Sequence, residues 1–392
     1  MRFRHPDGST VHLAYCTNVH PAETLDGVIA QLRDHCEPVR RRLGRDRLGI
    51  GLWLAKDAAR ALVADPAALR GLRTELDRRG LEVVTLNGFP YEGFGAAEVK
   101  YRVYQPDWAD EERLTHTVDL ARLLGALLPA DATEGTVSTL PLAWRTAHHP
   151  DRAERARRHL RTLAERLDTL ETVTGRSIRV GLEPEPGCVV ETTGDAIGPL
   201  TDIARTDRVG LCLDTCHLAT SFEQPDAALD ALAAADVPVV KAQLSAALHA
   251  EHPGLPEVRA ALAAFDEPRF LHQTRARTDG TLHAVDDLGA ALAADGHALP
   301  RDVPWRAHFH VPLHAAPAAP LTSTLDVLKD TLTRLVGGAR PLTRHLEVET
   351  YTWQALPPEL RPRGSRQLAE GIAAELALAR DLLTDLGLKE LP

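Results

Sequence analysis

The chain has 392 residues, 44% hydrophobic and 26% charged, which suits a globular protein built as one elaborated α/β barrel or as two smaller domains. Its formal net charge of -10 argues against a protein whose main task is binding nucleic-acid phosphates. The first residues lack the apolar segment of a secretory signal, and no run of 18 apolar residues occurs, so we expect no membrane span.

Short apolar runs, which predict strands, alternate with segments of helical periodicity. The predicted strands are 11–16, 48–54, 81–87, 133–140, 178–183, 209–214, 237–243 and 345–350. The predicted helices are 22–43, 57–79, 109–128, 151–174, 225–235, 322–336 and 365–387. Such alternation is typical of βα units around a parallel sheet. Eight strands with their helices predict a (β/α)8 TIM barrel.

The segment between predicted strands seven and eight is far longer than one crossover requires. It contains two further strand-like runs, 269–275 and 305–311, and either would serve as a barrel strand. We therefore expect a single domain over residues 1–392, with an elaborated insertion at about 246–340 that carries part of the functional site.

Acidic side chains lie at the carboxyl ends of three predicted strands, which all open on one mouth of a parallel barrel. They are Glu183 and Glu185, Asp214, and Glu347 and Glu349. Histidines lie near the ends of other predicted strands or in the insertion as well as after Asp214, namely His20, His217, His308 and His310. In one cleft these groups would repel each other or stay unsatisfied. A divalent cation (Mn, Zn, Mg or Co) resolves that conflict, because carboxylate and imidazole both ligate such metals.

The segment 209–219 ends an apolar strand in Asp-Thr-Cys-His. Asp214 and His217 either ligate a metal or serve, more simply, as a helix cap and a neighbouring histidine.

The chain has no glycine-rich dinucleotide motif, P-loop or nucleophile elbow. Its five cysteines are odd in number and lack zinc-finger spacing, so we expect a reduced, cytoplasmic protein.

Three segments together resemble the xylose isomerase-like TIM barrels, which include sugar isomerases, epimerases and endonuclease IV-type nucleases. They are 182–185 (Leu-Glu-Pro-Glu), 212–217 (Cys-Leu-Asp-Thr-Cys-His) and 346–349 (Leu-Glu-Val-Glu). The resemblance implies a divalent metal held by residues after strands five, six, seven and eight.

Carried over residue by residue, the resemblance implies Glu183, Asp214 and Glu349 as metal ligands, with Glu347 as the alternative to Glu349. His217 corresponds to a histidine that binds metal or substrate in the family. After strand seven the chain departs from the family, since it has Gln243 where a histidine is usual.

An imidazole from the insertion is expected to replace the missing histidine. His308 and His310 are the candidates, and we assign His310 to the metal. A narrower resemblance is to the EboE-like metabolite-traffic proteins, carried by segments 15–21, 308–312 and 345–353. It implies a role in handling a small metabolite, alongside partner proteins of the same pathway.

We therefore predict a metal-dependent isomerase or epimerase acting on a sugar, a cyclitol or a related polyhydroxylated metabolite. Glu185 or His217 is the expected base, and Lys241 is expected to stabilise an enolate. The predicted substrate-binding residues are His20, Asn87, Gln243, His308, Glu347 and Trp353. The alternatives are a metabolite-binding or traffic protein without turnover and an endonuclease IV-like phosphoesterase, which the negative charge disfavours.

Overall fold

The computed structural model describes residues 1–203, 207–293 and 299–392. In chain order its strands are β1 (Arg2–Arg4), β2 (Thr10–Cys16), β3 (Leu48–Trp53), β4 (Leu81–Asn87), β5 (Glu134–Thr139), β6 (Ser177–Leu182), β7 (Val209–Asp214), β8 (Val239–Leu244), β9 (Leu248–Ala250), β10 (Thr274–Thr278), β11 (Thr281–Val285), β12 (Trp305–Ala307), β13 (Thr322–Ser323), β14 (His345–Val348) and β15 (Lys389–Glu390). These strands form two sheets.

The helices in chain order are α1 (Leu25–Gln31), α2 (Glu37–Arg42), α3 (Lys56–Ala64), α4 (Pro66–Arg78), α5 (Glu111–Leu127), α6 (Pro150–Thr174), α7 (Thr193–Thr201), α8 (Thr215–Thr220), α9 (Pro225–Ala234), α10 (Pro256–Ala263), α11 (Leu288–Leu292), α12 (Leu325–Val336) and α13 (Ser365–Asp385). Most of the helices surround the larger sheet, whereas α10 and α11 belong to the segment that builds the smaller one. Among the described residues, no helix is long and apolar enough to cross a membrane.

Eight parallel strands close into a barrel. Strands β2 to β8 pair in chain order, and β14 pairs with both β8 and β2. The short strands β1 and β15 extend the sheet outside the ring, with β1 antiparallel to β2. The predicted (β/α)8 barrel is therefore confirmed, and all eight predicted strand positions belong to it.

The barrel strands are recognisable in the sequence because they are covered on both faces. Every residue of β3, β4, β7 and β8 is buried, so these strands are nearly continuous apolar runs. The predicted helix 57–79 is wrong in one respect, since it is two helices. Asp65 breaks the first helix with extended backbone and caps α4 by accepting from the Ala67 amide.

The long segment between β8 and β14 builds a second, antiparallel sheet in the order β11-β10-β12-β9-β13. The alternatives that placed runs 269–275 or 305–311 in the barrel are therefore wrong. The run 237–243 supplies the seventh barrel strand, β8, because its backbone pairs with β7 and β14. Residues 294–298 of the predicted insertion lie outside the described residues.

Candidate metal centre at the barrel mouth

Three acidic side chains meet at the carboxyl end of the barrel. Glu183 directly follows β6, Asp214 ends β7, and Glu349 directly follows β14. One oxygen from each lies within 4.8 Å of the others, and all three side chains are buried. We call this set the carboxylate cluster. The barrel thus brings together three acidic residues that lie far apart in the sequence.

Asp214 combines both roles that its sequence position indicates. Its Oδ1 accepts from the amides of Cys216 at 2.7 Å and His217 at 3.0 Å, which caps α8. The Ser245 hydroxyl donates to the same oxygen at 2.7 Å. The Oδ2 atom has no hydrogen-bond partner among the described residues. One oxygen is therefore structural, and the other faces the cluster with a lone pair to offer a cation.

Amide groups surround the other two carboxylates. Asn18 and Asn87 donate to Glu349 Oε1 at 2.6 and 2.9 Å. Gln243 donates to both oxygens of Glu183, at 3.2 and 3.3 Å. Burial and the neighbouring acids raise the pKa of Glu183 to about 8 and the pKa of Glu349 well above its usual range. A divalent cation would favour the ionised forms, so this donor set fits a metal.

Three histidines form a second group beside the carboxylates. His217 lies on α8, and His308 and His310 follow the three-residue strand β12. His308 Nε2 lies 3.0 Å from His217 Nε2 and 3.3 Å from His310 Nε2. We call these residues the imidazole cluster. Burial lowers the pKa of all three, that of His217 to about 4.

His310 is the imidazole nearest to the carboxylate cluster. Its Nε2 lies 4.0 Å from the unpartnered Oδ2 of Asp214. The insertion therefore places an imidazole beside the three carboxylates. Gln243, on the seventh barrel strand β8, lies beside the carboxylate cluster and presents a neutral amide to Glu183.

Glu185 faces the cavity next to these clusters. Tyr104 donates to Glu185 Oε1 at 2.7 Å, and the Gln273 amide donates to it at 3.2 Å. His308 Nδ1 lies 3.6 Å from the same oxygen. Burial raises the pKa of Glu185 to about 8. A buried carboxyl group with a raised pKa suits proton transfer.

Beneath the mouth, Lys241 and Glu347 form an ion pair inside the barrel. Lys241 Nζ lies 2.6 Å from Glu347 Oε2, and both side chains are fully buried. Burial opposes the charge of Lys241, but Glu347 together with Cys212 and Cys16 outweighs this effect, so the pKa of the ammonium is raised. Neither side chain lines the cavity. The predicted roles of Lys241 on an enolate and of Glu347 on substrate thus do not match their positions, because each is occupied by the other.

Gly51 on β3 leaves the space that Glu347 fills. A Cβ at position 51 would overlap the Glu347 carboxyl group. We expect Gly51→Ala to lower the free energy of unfolding by about 1–3 kcal/mol, because Glu347 cannot move without breaking its ion pair. Urea denaturation measures the change. The control Gly71→Ala on α4 meets open space and is expected to stabilise by about 0.5–1 kcal/mol. Equal effects of the two substitutions would contradict this account.

The clusters open on a partly open cavity at the mouth of the barrel. One wall is apolar and aromatic, and the other carries the acids and imidazoles. The apolar wall consists of Phe89, Pro90, Phe94, Val99, Val103, Phe270 and Leu271, with Tyr351 at its edge. Of the predicted residues, the cavity is lined by Asn87, Glu183, Glu185, His217, His308, His310 and Glu349.

Four predicted substrate-binding residues do not line the cavity, namely Gln243, Glu347, His20 and Trp353. The His20 ring stacks on His35 at 4.1 Å, and Trp353 donates to Glu375 at 3.2 Å. Both residues follow barrel strands, but their side chains contact His35 and Glu375 and do not face the cavity. Sequence reasoning did not select Asn18, Tyr104 or Gln273 as site residues. Asn18 follows the first barrel strand, which is a usable signal, whereas Tyr104 and Gln273 lie in segments without a motif.

A closed parallel barrel with acids and imidazoles at its carboxyl mouth defines a TIM-barrel protein with a candidate metal centre. The model of the family described as "Xylose isomerase-like TIM barrel" matches residues 47–270. The chain belongs to this family.

Solved structures share the fold over nearly the full chain. One is a putative sugar phosphate isomerase/epimerase from Anabaena variabilis ATCC 29413, with 14% identity, a TM-score of 0.52 and coverage of 97% of this chain and 100% of the other. Another is D-psicose 3-epimerase with D-tagatose from Clostridium cellulolyticum H10, with 11% identity, a TM-score of 0.50 and coverage of 95% and 99%. A search of curated protein sequences found no match to the chain.

Proposed function

We propose that the protein is a metal-dependent isomerase or epimerase of a polyhydroxylated small molecule, such as a sugar, a cyclitol or a phosphorylated relative. The observation that carries this proposal is the buried carboxylate cluster, which faces a cavity shared with Glu185. The reaction class is proton transfer at a carbon next to a carbonyl group. The names of the two solved structures of the same fold support this class.

The residues of the chain have distinct roles in the proposal. Glu183, Asp214 and Glu349 would hold the metal, with His310 as the nearest imidazole. Such an ion polarises a carbonyl and binds neighbouring hydroxyl groups. Glu185 takes the proton from carbon, while the C–H electron pair moves toward the carbonyl oxygen. Return of the proton from Glu185 to the adjacent carbon completes isomerisation, whereas addition of a solvent proton to the other face completes epimerisation.

The groups around Glu185 hold its carboxylate for this role. Tyr104 and Gln273 both donate to Oε1, which stabilises the charged form and fixes its direction. His217, the other candidate base, has its Nε2 within the imidazole cluster, at 3.0 Å from His308. We therefore assign proton transfer to Glu185. Asn87 is held by Glu349 and lines the cavity, where it can contact substrate hydroxyl groups.

The test is exchange of substrate hydrogen with solvent deuterium. The protein, loaded separately with Mn²⁺, Mg²⁺, Co²⁺ or Zn²⁺, is incubated in D₂O with D-fructose, D-tagatose or an inosose. NMR then follows deuterium at the carbon next to the carbonyl. We expect incorporation with at least one pair, and Glu185→Gln is expected to slow it by about 10²–10⁴-fold.

The control for this experiment is Glu251→Gln. Glu251 is exposed and pairs with His249 outside the cavity, so its substitution is expected to leave the exchange rate unchanged. No incorporation with any pair, in protein shown to contain metal, would overturn the proposal.

Binding without turnover is the second candidate, and it includes the narrower EboE-like metabolite-traffic role. Gln243 favours it, because a neutral amide hydrogen-bonded to Glu183 occupies the strand-seven position. Calorimetric binding of inositol without deuterium exchange in inosose would support this candidate.

The proposal extends to the whole chain. His308 and His310 from the insertion complete a site made by barrel strands, so we propose that residues 1–392 act as one domain. All five cysteines are unpaired and buried, which supports a cytoplasmic location.

A further inference from the structure

The apolar wall of the cavity is built mainly by two segments outside the barrel strands. Residues 88–104 follow β4, and residues 269–271 belong to the insertion. Hydrogen bonds join the two segments, since the Arg269 carbonyl accepts from the Val99 amide at 2.7 Å and the Arg269 guanidinium donates to the Phe94 carbonyl at 3.0 Å. These contacts hold the two parts of the apolar wall together.

Three rings of this wall also contact each other. The ring centroids of Phe94 and Phe270 lie 5.4 Å apart, and that of Tyr351 lies 5.5 Å from the first and 4.9 Å from the second. Each ring comes from a different loop, and each lines the cavity. Val99 and Val103 extend the apolar surface beyond the rings. An occupant of the cavity thus meets mainly carbon atoms on this side.

Polar backbone groups of this wall already have partners inside the protein. The Phe89 carbonyl accepts from Arg113 at 3.0 Å, and the Pro90 carbonyl accepts from the Trp53 indole at 2.9 Å. A hydroxyl group placed against the wall would lose its hydrogen bonds to water and would find few replacements. The wall therefore disfavours the hydroxyl-bearing part of a polyol and favours hydrocarbon.

The charges around the cavity disfavour an anionic group on the substrate. Among the described residues that line the cavity, Lys100 is the single lysine or arginine, and its ammonium group is paired with Asp287. Glu183, Glu185 and Glu349 line the same cavity. A phosphate group would meet these acids and would have to compete with Asp287 for the lysine.

We propose that the substrate is an uncharged polyol that carries an apolar substituent, such as an alkyl or aryl group, and not a phosphorylated sugar. Its carbonyl and hydroxyl groups would lie at the carboxylate cluster and Glu185, and its substituent would lie against Phe270 and Val103. This inference rests on the proposed function for the ion and for Glu185. It narrows the substrate class from polyhydroxylated molecules in general to amphipathic ones.

The test compares ligands that differ in one substituent. Two series are used, D-fructose substituted at O6 and myo-inositol substituted at O1, each as the methyl ether, the butyl ether and the phosphate. Calorimetry with the full chain, loaded with Mn²⁺, gives the dissociation constants. In at least one series we expect the butyl ether to bind at least about 10-fold more tightly than the methyl ether, because three further methylene groups leave water. The phosphate is expected to bind no more tightly than the methyl ether.

Two variants test whether the apolar wall causes this preference. Phe270→Ala is expected to lower the ratio of butyl to methyl affinity by about 5-fold, because the substituent loses its main contact. Val103→Thr places a hydroxyl group in the wall and is expected to lower the ratio as well. The control is Tyr101→Ala, since Tyr101 is an exposed aromatic residue of the same segment that does not line the cavity. We expect this control to keep the ratio.

The ligand comparison needs no variant, so it stands even if Phe270→Ala fails to fold. Equal affinities of the two ethers in both series, tightest binding of a phosphate, or no binding of any ligand would overturn the inference. An unchanged ratio in both wall variants would also overturn it. Failure of the proposed function is seen separately, as absent deuterium exchange, because the binding measurement requires no turnover.

Discussion

Replacement of Lys241 by methionine is expected to lower the free energy of unfolding by about 3–5 kcal/mol, because it leaves the Glu347 carboxylate buried without its cation. Both side chains are fully buried, and the two charged atoms lie 2.6 Å apart. Water cannot reach Glu347 to replace the lost interaction. Urea denaturation measures the change through the midpoint and slope of the transition.

Two further variants test whether the unpaired Glu347 carboxylate causes this loss of stability. The double substitution Lys241→Met/Glu347→Leu removes both charges, and we expect it to recover most of the stability, since buried pairs are often replaceable by apolar residues. Lys56→Met removes a partner of Glu92 at the surface and is expected to cost about 0–1 kcal/mol. A large loss from Lys56→Met, or no recovery in the double variant, would contradict the explanation.

Asp214→Asn is expected to remove one metal ion per chain and with it the proposed exchange activity, while the fold persists. An asparagine side-chain oxygen can still accept from the Cys216 and His217 amides, which preserves the cap of α8. The change replaces the unpartnered Oδ2 by an NH₂ group, which offers no lone pair and no charge. Elemental analysis and circular dichroism measure the two outcomes.

The matched control is Asp65→Asn. Asp65 also caps a helix through one oxygen, which accepts from the Ala67 amide at 2.7 Å, but it lies outside the mouth of the barrel. We expect its substitution to change neither metal content nor secondary structure. Asp214→Asn with full metal content would show that this residue acts only as a cap.

The barrel could be predicted from sequence because its strands are buried on both faces. Runs 81–87 and 209–214 coincide with β4 and β7, since every residue of these strands is buried and most of the residues are apolar. The second sheet has a weaker signal, since the strand-like runs 269–275 and 305–311 overlap β10 and β12 only in part. Its strand β12 has three residues and β13 has two, too few for a pattern of alternating burial. Strand pairing between distant segments, and not local composition, defines that sheet.

Residues of the candidate site could be predicted from sequence when they follow a strand with a clear apolar pattern. Glu183, Asp214 and Glu349 come directly at or after β6, β7 and β14, and the structure brings them together. His20 and Trp353 meet the same criterion, yet contacts with His35 and Glu375 hold them away from the cavity. Tyr104 and Gln273 reach Glu185 from segments outside the barrel strands, and only tertiary packing reveals them.

The pairing of β14 with β2 would give an ion bound at the carboxylate cluster a further effect, on the integrity of the ring. Glu349 follows the last barrel strand, so the carboxylate cluster exists only when β14 has closed the sheet between β8 and β2. A bound ion would thus cross-link segments around residues 183, 214 and 349. Such binding stabilises the closed ring over any open form, by an amount that grows with the logarithm of free metal concentration. Metal supply would then govern the lifetime of the folded protein as well as its chemistry.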